Sequence, residues 1–251
     1  MLLSITTEIT PTAWILAYGA TFIVGLSKAG IKGIAVLNVT LMALAFGAKE
    51  STGMVVPLLI LADILSVIYY NKYTQWKYVF KVLPWMIVGV LIGVVIGKDL
   101  PEKFFKIGMA TIIIITLFMM VYWDRKKDKN VPSHWTFAGS IGTIAGITTM
   151  VGNLAGAFSN IYFLAMRLPK NHFIGTAAWL FLIVNIIKLP FHFFVWKTIS
   201  TESLTLNLIL LPGILLGFFV GVRFIKFIKD AFFRKMIMVL TAVGAILIMF
   251  S

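Results

Sequence analysis

Long uninterrupted apolar stretches dominate this chain and restrict the environment in which it can fold. They cover residues 82–97, 107–123, 176–187 and 204–222. A helix needs about 20 apolar residues to cross the hydrocarbon core of a bilayer, and several of these stretches approach that length. The alternation of apolar and polar residues that is typical of a transmembrane β-barrel is not seen. The sequence therefore predicts an all-α integral membrane protein with the lipid bilayer as its solvent.

The remaining composition argues against several other classes of protein. The formal net charge is +13, but the basic residues collect in short loops, as they do in cytoplasmic loops of membrane proteins. We therefore expect no nucleic-acid partner. There is no cysteine, and no nucleophile, phosphate-loop or zinc motif is found. We expect no enzyme activity, no cofactor and no metal, and we assign His134, His172 and His192 to loops or interfaces.

The two halves of the chain resemble each other. At an offset of 122 residues several residue types coincide, and after a shift to 128 the series continues; examples are Gly30 with Gly152, Asn38 with Asn160, Asp63 with Asn185, Gly89 with Gly217 and Gly93 with Gly221. Internal repeats are a common way of building transporters. We predict a single transmembrane domain over 1–251, with one repeat at about 12–123, a polar linker at 124–134 and a second repeat at about 135–251.

Each repeat opens with an interrupted apolar segment. Residues 12–46 would make a helix of about 52 Å, far longer than a hydrocarbon core of about 30 Å. Glycines and lysines break this segment at 27–33, and residues 149–153 break its counterpart. We expect a broken or re-entrant hairpin in each repeat, followed by three spans, which makes about eight to ten membrane segments. The expected spans are 51–70, 79–97, 104–122, 172–195, 204–222 and 232–250.

Loop charges predict how the segments cross the membrane. If each hairpin returns to its own side, fourteen basic residues lie on one side and five on the other. The five are Lys49, Lys98, Lys103, Lys106 and Lys197. Cytoplasmic loops are the ones enriched in lysine and arginine. We therefore expect inverted repeats in a cell (inner) membrane, with both termini extracytoplasmic. Two short complete spans in place of each hairpin would give the same result.

The first hairpin carries the residues that best suit an anion. Ser27, Lys28, Gly30 and Lys32 surround the break, and the helix that follows presents free N–H groups and a partial positive charge to it. Small residues, open donors and basic side chains together indicate an anion site. The alternative is that both lysines extend to a membrane interface.

Further polar residues lie inside the apolar stretches. Asp63 and Lys188 are the candidate pathway residues, because charge inside a membrane is costly unless it is paired or functional. We expect them to face each other or a shared substrate, with Asp63 in proton coupling and Asn185 beside Lys188. The alternative is a purely structural pair. Asn38 and Asn160 either bind substrate or hold helices together. Asn153 gives the second break a neutral hydrogen-bond donor and is a further candidate for binding substrate.

Several of these motifs resemble those of one transporter family. GLSKAGIKG at 25–33 is similar to the GLSKAGxGG hairpin of the sulfite exporter TauE/SafE permeases. Asp63 matches the acidic position after that hairpin, and RLPKNHFIGT at 167–176 with NIIKLP at 185–190 resembles the second-half signature. The resemblance implies an eight-segment permease, mostly an exporter, for sulfite, thiosulfate, sulfonates or related organic acids. Proton coupling is suspected for it.

Two features depart from that pattern. Lys32 stands where the family usually has glycine, and VGNLAG at 151–156 replaces a common HAGGPP. Both departures bear on which anion is bound. We expect a secondary transporter with a small anionic substrate, while an anion channel and a membrane-embedded enzyme remain the alternatives. Linear, unsaturable flux would indicate the channel, and clustered titratable groups would indicate the enzyme.

Overall fold

The computed structural model describes residues 9–101 and 135–229, together with scattered residues from 103 to 118 and from 232 to 239. Regular secondary structure in these residues is helical. Most of the predicted spans 104–122 and 232–250, the linker 124–134 and both termini lie outside the described residues. The expectations about these segments therefore stay predictions.

Nine α-helices make up the continuous described ranges. They are α1 Pro11–Ala29, α2 Ala35–Phe46, α3 Ala48–Met54, α4 Val56–Tyr70, α5 Trp76–Lys98, α6 Trp135–Gly152, α7 Ala155–Ala165, α8 Lys170–Pro190 and α9 Thr201–Lys226. Five helical segments in this part of the chain, built on α1, α4, α5, α8 and α9, are long and apolar enough to cross a membrane. The chain is therefore a helical multi-pass membrane protein.

The span predicted over 51–70 is not one continuous helix. The structure divides it into α3 and α4, with Val55 between them. Pro57 lies in the first turn of α4, where its missing N–H costs least and where it cannot continue the preceding helix. The other predicted spans within the described residues are single helices, except that α8 ends in a wider turn at Phe191–Val195.

The first hairpin breaks where the glycines predicted it would. Gly30 ends α1 with φ 129° and donates its N–H to the carbonyls of Leu26 and Ser27. Gly33 also has a positive φ, of 101°. Both conformations are strained for residues with a side chain. Helix α2 then begins after Ile34, which provides no side-chain cap, so its first N–H groups stay available as donors.

The second hairpin has the same form with different chemistry at the break. Helix α6 ends at Gly152, and Asn153 adopts a left-handed conformation with φ 55°. Asparagine tolerates this conformation better than most residues. Helix α7 follows this break and ends at Ala165.

Helices from the two halves of the chain pack pairwise through glycines. Helix α1 packs on α9, and α5 packs on α6. A Cβ at Gly217 would overlap the backbone of Phe22, and one at Gly89 would overlap the carbonyl of Thr143. Small residues allow such close backbone contact between membrane helices. The opening helix of each half therefore lies against the last described long helix of the other half.

The two ends of the first hairpin meet at one end of the bundle. Ile9, Phe46 and Glu50 line one cavity together with Lys197 and Ser200. The first hairpin therefore starts at this end with α1 and returns to the same end at the end of α2. We refer to this end as the Glu50 end.

The second hairpin begins and finishes at the other end of the bundle. The rings of Phe137 and Tyr162 lie 6.1 Å apart, and Tyr162 also lies 6.4 Å from Tyr78 near the start of α5. The far end of α5 belongs to the Glu50 end, because Lys49 donates to the carbonyl of Lys98 at 2.7 Å. The end that contains Tyr78 is therefore opposite.

Candidate functional site

The breaks of the two hairpins meet around an internal cavity of about 60 Å³. Helices α4 and α8, which pack against each other, complete its walls. Its lining includes polar residues and glycines from both hairpins and one aromatic ring; these are Ser27, Lys28, Lys32, Gly33, Asn38, Thr149, Asn153, Gly156, Asn160, Phe181 and Asn185. Four charged side chains are buried within the described residues, namely Lys28, Lys32, Asp63 and Lys188. All four belong to this region.

Asp63 forms the ion pair of the site. Lys28 Nζ lies 2.6 Å from Asp63 Oδ1, and Asn185 Nδ2 donates to Asp63 Oδ2 at 2.7 Å. The Asp63 side chain is fully buried. Of the two arrangements expected for Asp63 and Lys188, a direct contact is not seen among the described residues, because Lys28 is the cation that Asp63 binds. The other arrangement, in which both face a shared substrate, stays a prediction.

Lys188 binds residues at the break of the second hairpin. Its Nζ donates to Asn153 Oδ1 at 2.6 Å, to Thr149 Oγ1 at 3.2 Å and to Asn185 Oδ1 at 3.3 Å. Asn185 accepts from Lys188 and donates to Asp63, so it connects the two charged residues. We refer to Lys28, Asp63, Asn185 and Lys188 as the buried network.

Residues that the 122-residue offset matches in the sequence lie close together in the structure or bind equivalent parts of the two hairpins. Asp63 and Asn185, which are 122 residues apart, hydrogen-bond directly to each other. Ser66 and Lys188 are the next matched pair, one turn further along each helix. Ser66 Oγ donates to the carbonyl of Lys28 at 2.8 Å, while Lys188 holds the break of the second hairpin. Each of α4 and α8 therefore binds the hairpin that precedes it in the chain.

Lys32 differs from the other two lysines because, among the described residues, its ammonium group has neither an anionic partner nor a hydrogen-bond acceptor. Its side chain is buried. Its contact is with the face of Phe181, whose centroid lies 5.7 Å from Nζ. Lys28 lies over the same ring at 4.9 Å. A ring face attracts a cation only weakly compared with a counter-charge.

Two matched asparagines add polar atoms to the same space. Asn38 and Asn160 are buried on the second helix of each hairpin, and the amide oxygen of each lacks a hydrogen-bond partner. Buried polar atoms are nearly always hydrogen-bonded in proteins. Since both residues line the cavity, their oxygens are suited to a ligand that carries a hydrogen-bond donor.

Most of the predicted site residues meet at this cavity. Seven of them line it, namely Ser27, Lys28, Lys32, Asn38, Asn153, Asn160 and Asn185. Lys188 and Asp63 lie behind that lining and bind residues in it. Gly30 is not in the lining; a Cβ there would meet Ile174 at 2.6 Å, so its glycine serves the turn and the packing.

Phe181 and His192 are the residues that sequence reasoning missed. Phe181 lies in a continuous apolar run, where nothing distinguishes a ring in a site from a ring in lipid. His192, assigned to a loop or interface, is fully buried. The signal that could have found it is its spacing of four residues after Lys188, which places both on one helix face.

The arrangement is chemically suited to holding a small anion. Three buried lysines and one buried aspartate belong to this region, and α2, whose first turn has no side-chain cap, begins three residues after Lys32. Helix N-termini are favourable places for negative charge. Polar groups line the break of each hairpin, as expected where irregular backbone occurs at membrane depth.

Comparison with known proteins gives one match. A family model described as "Sulfite exporter TauE/SafE" matches residues 17–248. The matched range includes both hairpins, all residues of the buried network and the whole lining of the cavity. No curated protein and no solved structure matches the chain.

Proposed function

The chain belongs to the sulfite exporter TauE/SafE family of membrane transporters, and from this premise we propose that it is a secondary transporter exporting a small anion. The candidate substrates are sulfite, thiosulfate, sulfonates and related organic acids. The observation that carries the proposal is the buried ammonium group of Lys32, which lines the central cavity without a counter-charge.

The charges of the site favour an anion over a neutral or cationic substrate. With its lysines protonated, the site has three positive charges and one negative charge. Burying an unpaired ion costs several kcal/mol even after the protein relaxes. A bound anion at Lys32 offsets part of that cost, whereas a cation would add to it.

The size of the cavity favours a compact anion. A water molecule needs about 10–15 Å³ of such volume, so a cavity of about 60 Å³ holds roughly four to six water-sized groups. Sulfite and thiosulfate are compact enough for this space. Among the candidate substrates, we therefore favour the small inorganic sulfur oxyanions.

Inverted repeats are part of the proposal. The first hairpin starts and finishes at the Glu50 end, and the second starts and finishes at the opposite end, which contains Tyr78. Inverted halves are expected to be related in this way. The reciprocal packing of α1 on α9 and of α6 on α5 supports the same relation. With the basic loops cytoplasmic, the Glu50 end and both termini face away from the cytoplasm of a bacterial-type cell.

Proton coupling involves Asp63. An anion that approaches Lys28 competes with the Asp63 carboxylate for the same ammonium group. A proton on Asp63 removes that competition and frees Lys28 to join Lys32 in binding the anion. Anion and proton then occupy the site together, so their movements are coupled; an imposed pH gradient drives the anion towards the side with the higher pH, and export in cells relies on the outward anion gradient and the inside-negative membrane potential.

A substrate panel in proteoliposomes tests the proposal. Sulfite, thiosulfate, a short sulfonate and acetate are supplied with and without a pH gradient. We expect saturable, gradient-driven flux of an inorganic sulfur oxyanion, loss of that flux in Lys32→Ala, and parent-like flux in Lys72→Ala, which changes an exposed lysine. Linear flux without response to the gradient would indicate a channel instead.

A further inference from the structure

His192 is a buried titratable residue that the anion site itself does not use. Its side chain is fully buried, and Nε2 has no hydrogen-bond partner among the described residues. Its other ring nitrogen, Nδ1, shares a hydrogen bond of 3.0 Å with Thr198 Oγ1. A buried imidazole with one nitrogen bound and the other available can pass a proton through its ring.

The backbone holds this ring in a specific place. After α8, the chain forms a wide turn in which the Trp196 N–H donates to the carbonyl of Phe191 at 2.8 Å. The Thr198 N–H then donates to the His192 carbonyl at 3.0 Å. Wide helical turns of this kind occur frequently at functional sites. Gly53 packs directly on the pair, and a Cβ there would collide with Thr198.

On its inner side, His192 adjoins the buried network. Lys188 precedes it by four residues on the same helix face. Asn153, which accepts from Lys188, also donates to the carbonyl of Thr52, and the next residue, Gly53, packs against the His192 ring. Lys188 is fully buried and hydrogen-bonds Thr149, Asn153 and Asn185. It is therefore the member of the network from which a proton can reach His192.

On its outer side, His192 is linked to the surface at the Glu50 end. Thr198 lines a cavity of about 230 Å³, and the charged groups that share this cavity are Glu50, Lys197 and Glu202. All three side chains are exposed, so the cavity is open to water. Thr198 thus has the His192 ring on one side and this cavity on the other.

We propose that His192 and Thr198 carry protons between the buried network and the cavity at the Glu50 end. The inference rests on the proposed proton coupling and adds the route by which protons leave or reach the site. The Lys188 ammonium binds Thr149, Asn153 and Asn185, so the transfer requires it to turn from them towards the unpartnered Nε2. As Nε2 takes up the proton, Nδ1–H gives its proton to Thr198 Oγ1, and the Thr198 hydroxyl proton passes to water in the cavity. Lys188 is left neutral and regains a proton when Asp63 gives up the one that it took up with the anion, so one proton leaves through Thr198 for each proton that enters at Asp63.

Two readouts in proteoliposomes separate this route from anion binding. Counterflow of radiolabelled sulfite measures anion exchange, which requires no net proton movement. A pH-sensitive dye inside the vesicles measures proton flux driven by sulfite. The variant His192→Asn keeps a polar group near Nδ1 but cannot relay a proton, and Thr198→Val removes the hydroxyl with little change of shape. The controls are Thr198→Ser, which keeps the hydroxyl, and His172→Asn at the opposite end.

The expected result is a selective loss of proton flux. Positioned proton donors and acceptors typically contribute about a hundredfold or more to a rate, so we expect a loss of that order in His192→Asn and Thr198→Val, with counterflow retained. Both controls should behave as the parent protein does. Parent-like proton flux in His192→Asn and Thr198→Val would overturn the route. No sulfite counterflow in the parent would instead overturn the proposed function.

Discussion

The ion pair between Lys28 and Asp63 makes a quantitative prediction about stability. Removing the ammonium group in Lys28→Met leaves a fully buried carboxylate with Asn185 as its remaining hydrogen-bond donor among the described residues. Removing one partner of a buried ion pair typically lowers the free energy of unfolding by about 3–5 kcal/mol. We therefore expect Lys28→Met to be strongly destabilised.

The same reasoning predicts that a second substitution rescues the first. In Lys28→Met with Asp63→Asn the buried charge is gone, while the amide can still bond Asn185. For chains of this size about 1 kcal/mol changes the melting temperature by roughly 2–4 °C, so the single variant should melt about 6–20 °C below the parent. The double variant should recover most of that difference.

Thermal unfolding of the four proteins in one detergent forms a double-mutant cycle. Parent, both single variants and the double variant are compared under the same conditions. If the two substitutions destabilise additively, with no coupling energy, then Lys28 and Asp63 do not interact as described and the reasoning fails. A parent-like melting temperature for Lys28→Met would refute it equally.

Three further outcomes follow from the structure. Asp63→Asn should keep sulfite binding but lose the response of transport to a pH gradient; gradient-driven accumulation at the parent level would rule out its coupling role. Gly217→Ala should lower stability by about 1–3 kcal/mol, measured by thermal unfolding, because its Cβ overlaps the backbone of α1. Gly156→Ala should not, since nothing lies within 4 Å of its Cβ. In intact cells an impermeant thiol reagent should label Thr201→Cys and not Lys72→Cys, in a chain without other cysteines; the reverse pattern would invert the proposed topology.

The helical architecture was largely predictable from the sequence because glycines and charged residues visibly interrupt the apolar stretches. The breaks at Gly30 and Gly152 were visible as interruptions, and the structure has them there. The repeat offset also placed Asp63 opposite Asn185, and these two residues do meet.

The partners of the charged residues were not predictable in the same way. Whether Asp63 binds Lys28 or Lys188 depends on the rotation of α1 and α8 about their axes, and a single sequence does not encode that directly. The pairing changes the assignment of roles. Lys28 is already neutralised by Asp63, which leaves Lys32 as the lysine at the cavity without a counter-charge or hydrogen-bond acceptor among the described residues.

Binding of sulfite to the purified protein, measured by calorimetry, tests the central role of Lys32 most directly. Removing one partner of a buried charge contact costs about 2–5 kcal/mol, so Lys32→Ala should bind about 30-fold to several-thousand-fold more weakly. Lys32→Arg should retain part of the affinity, and Lys72→Ala should retain all of it. A folded Lys32→Ala protein that binds sulfite with the parent affinity would contradict the account.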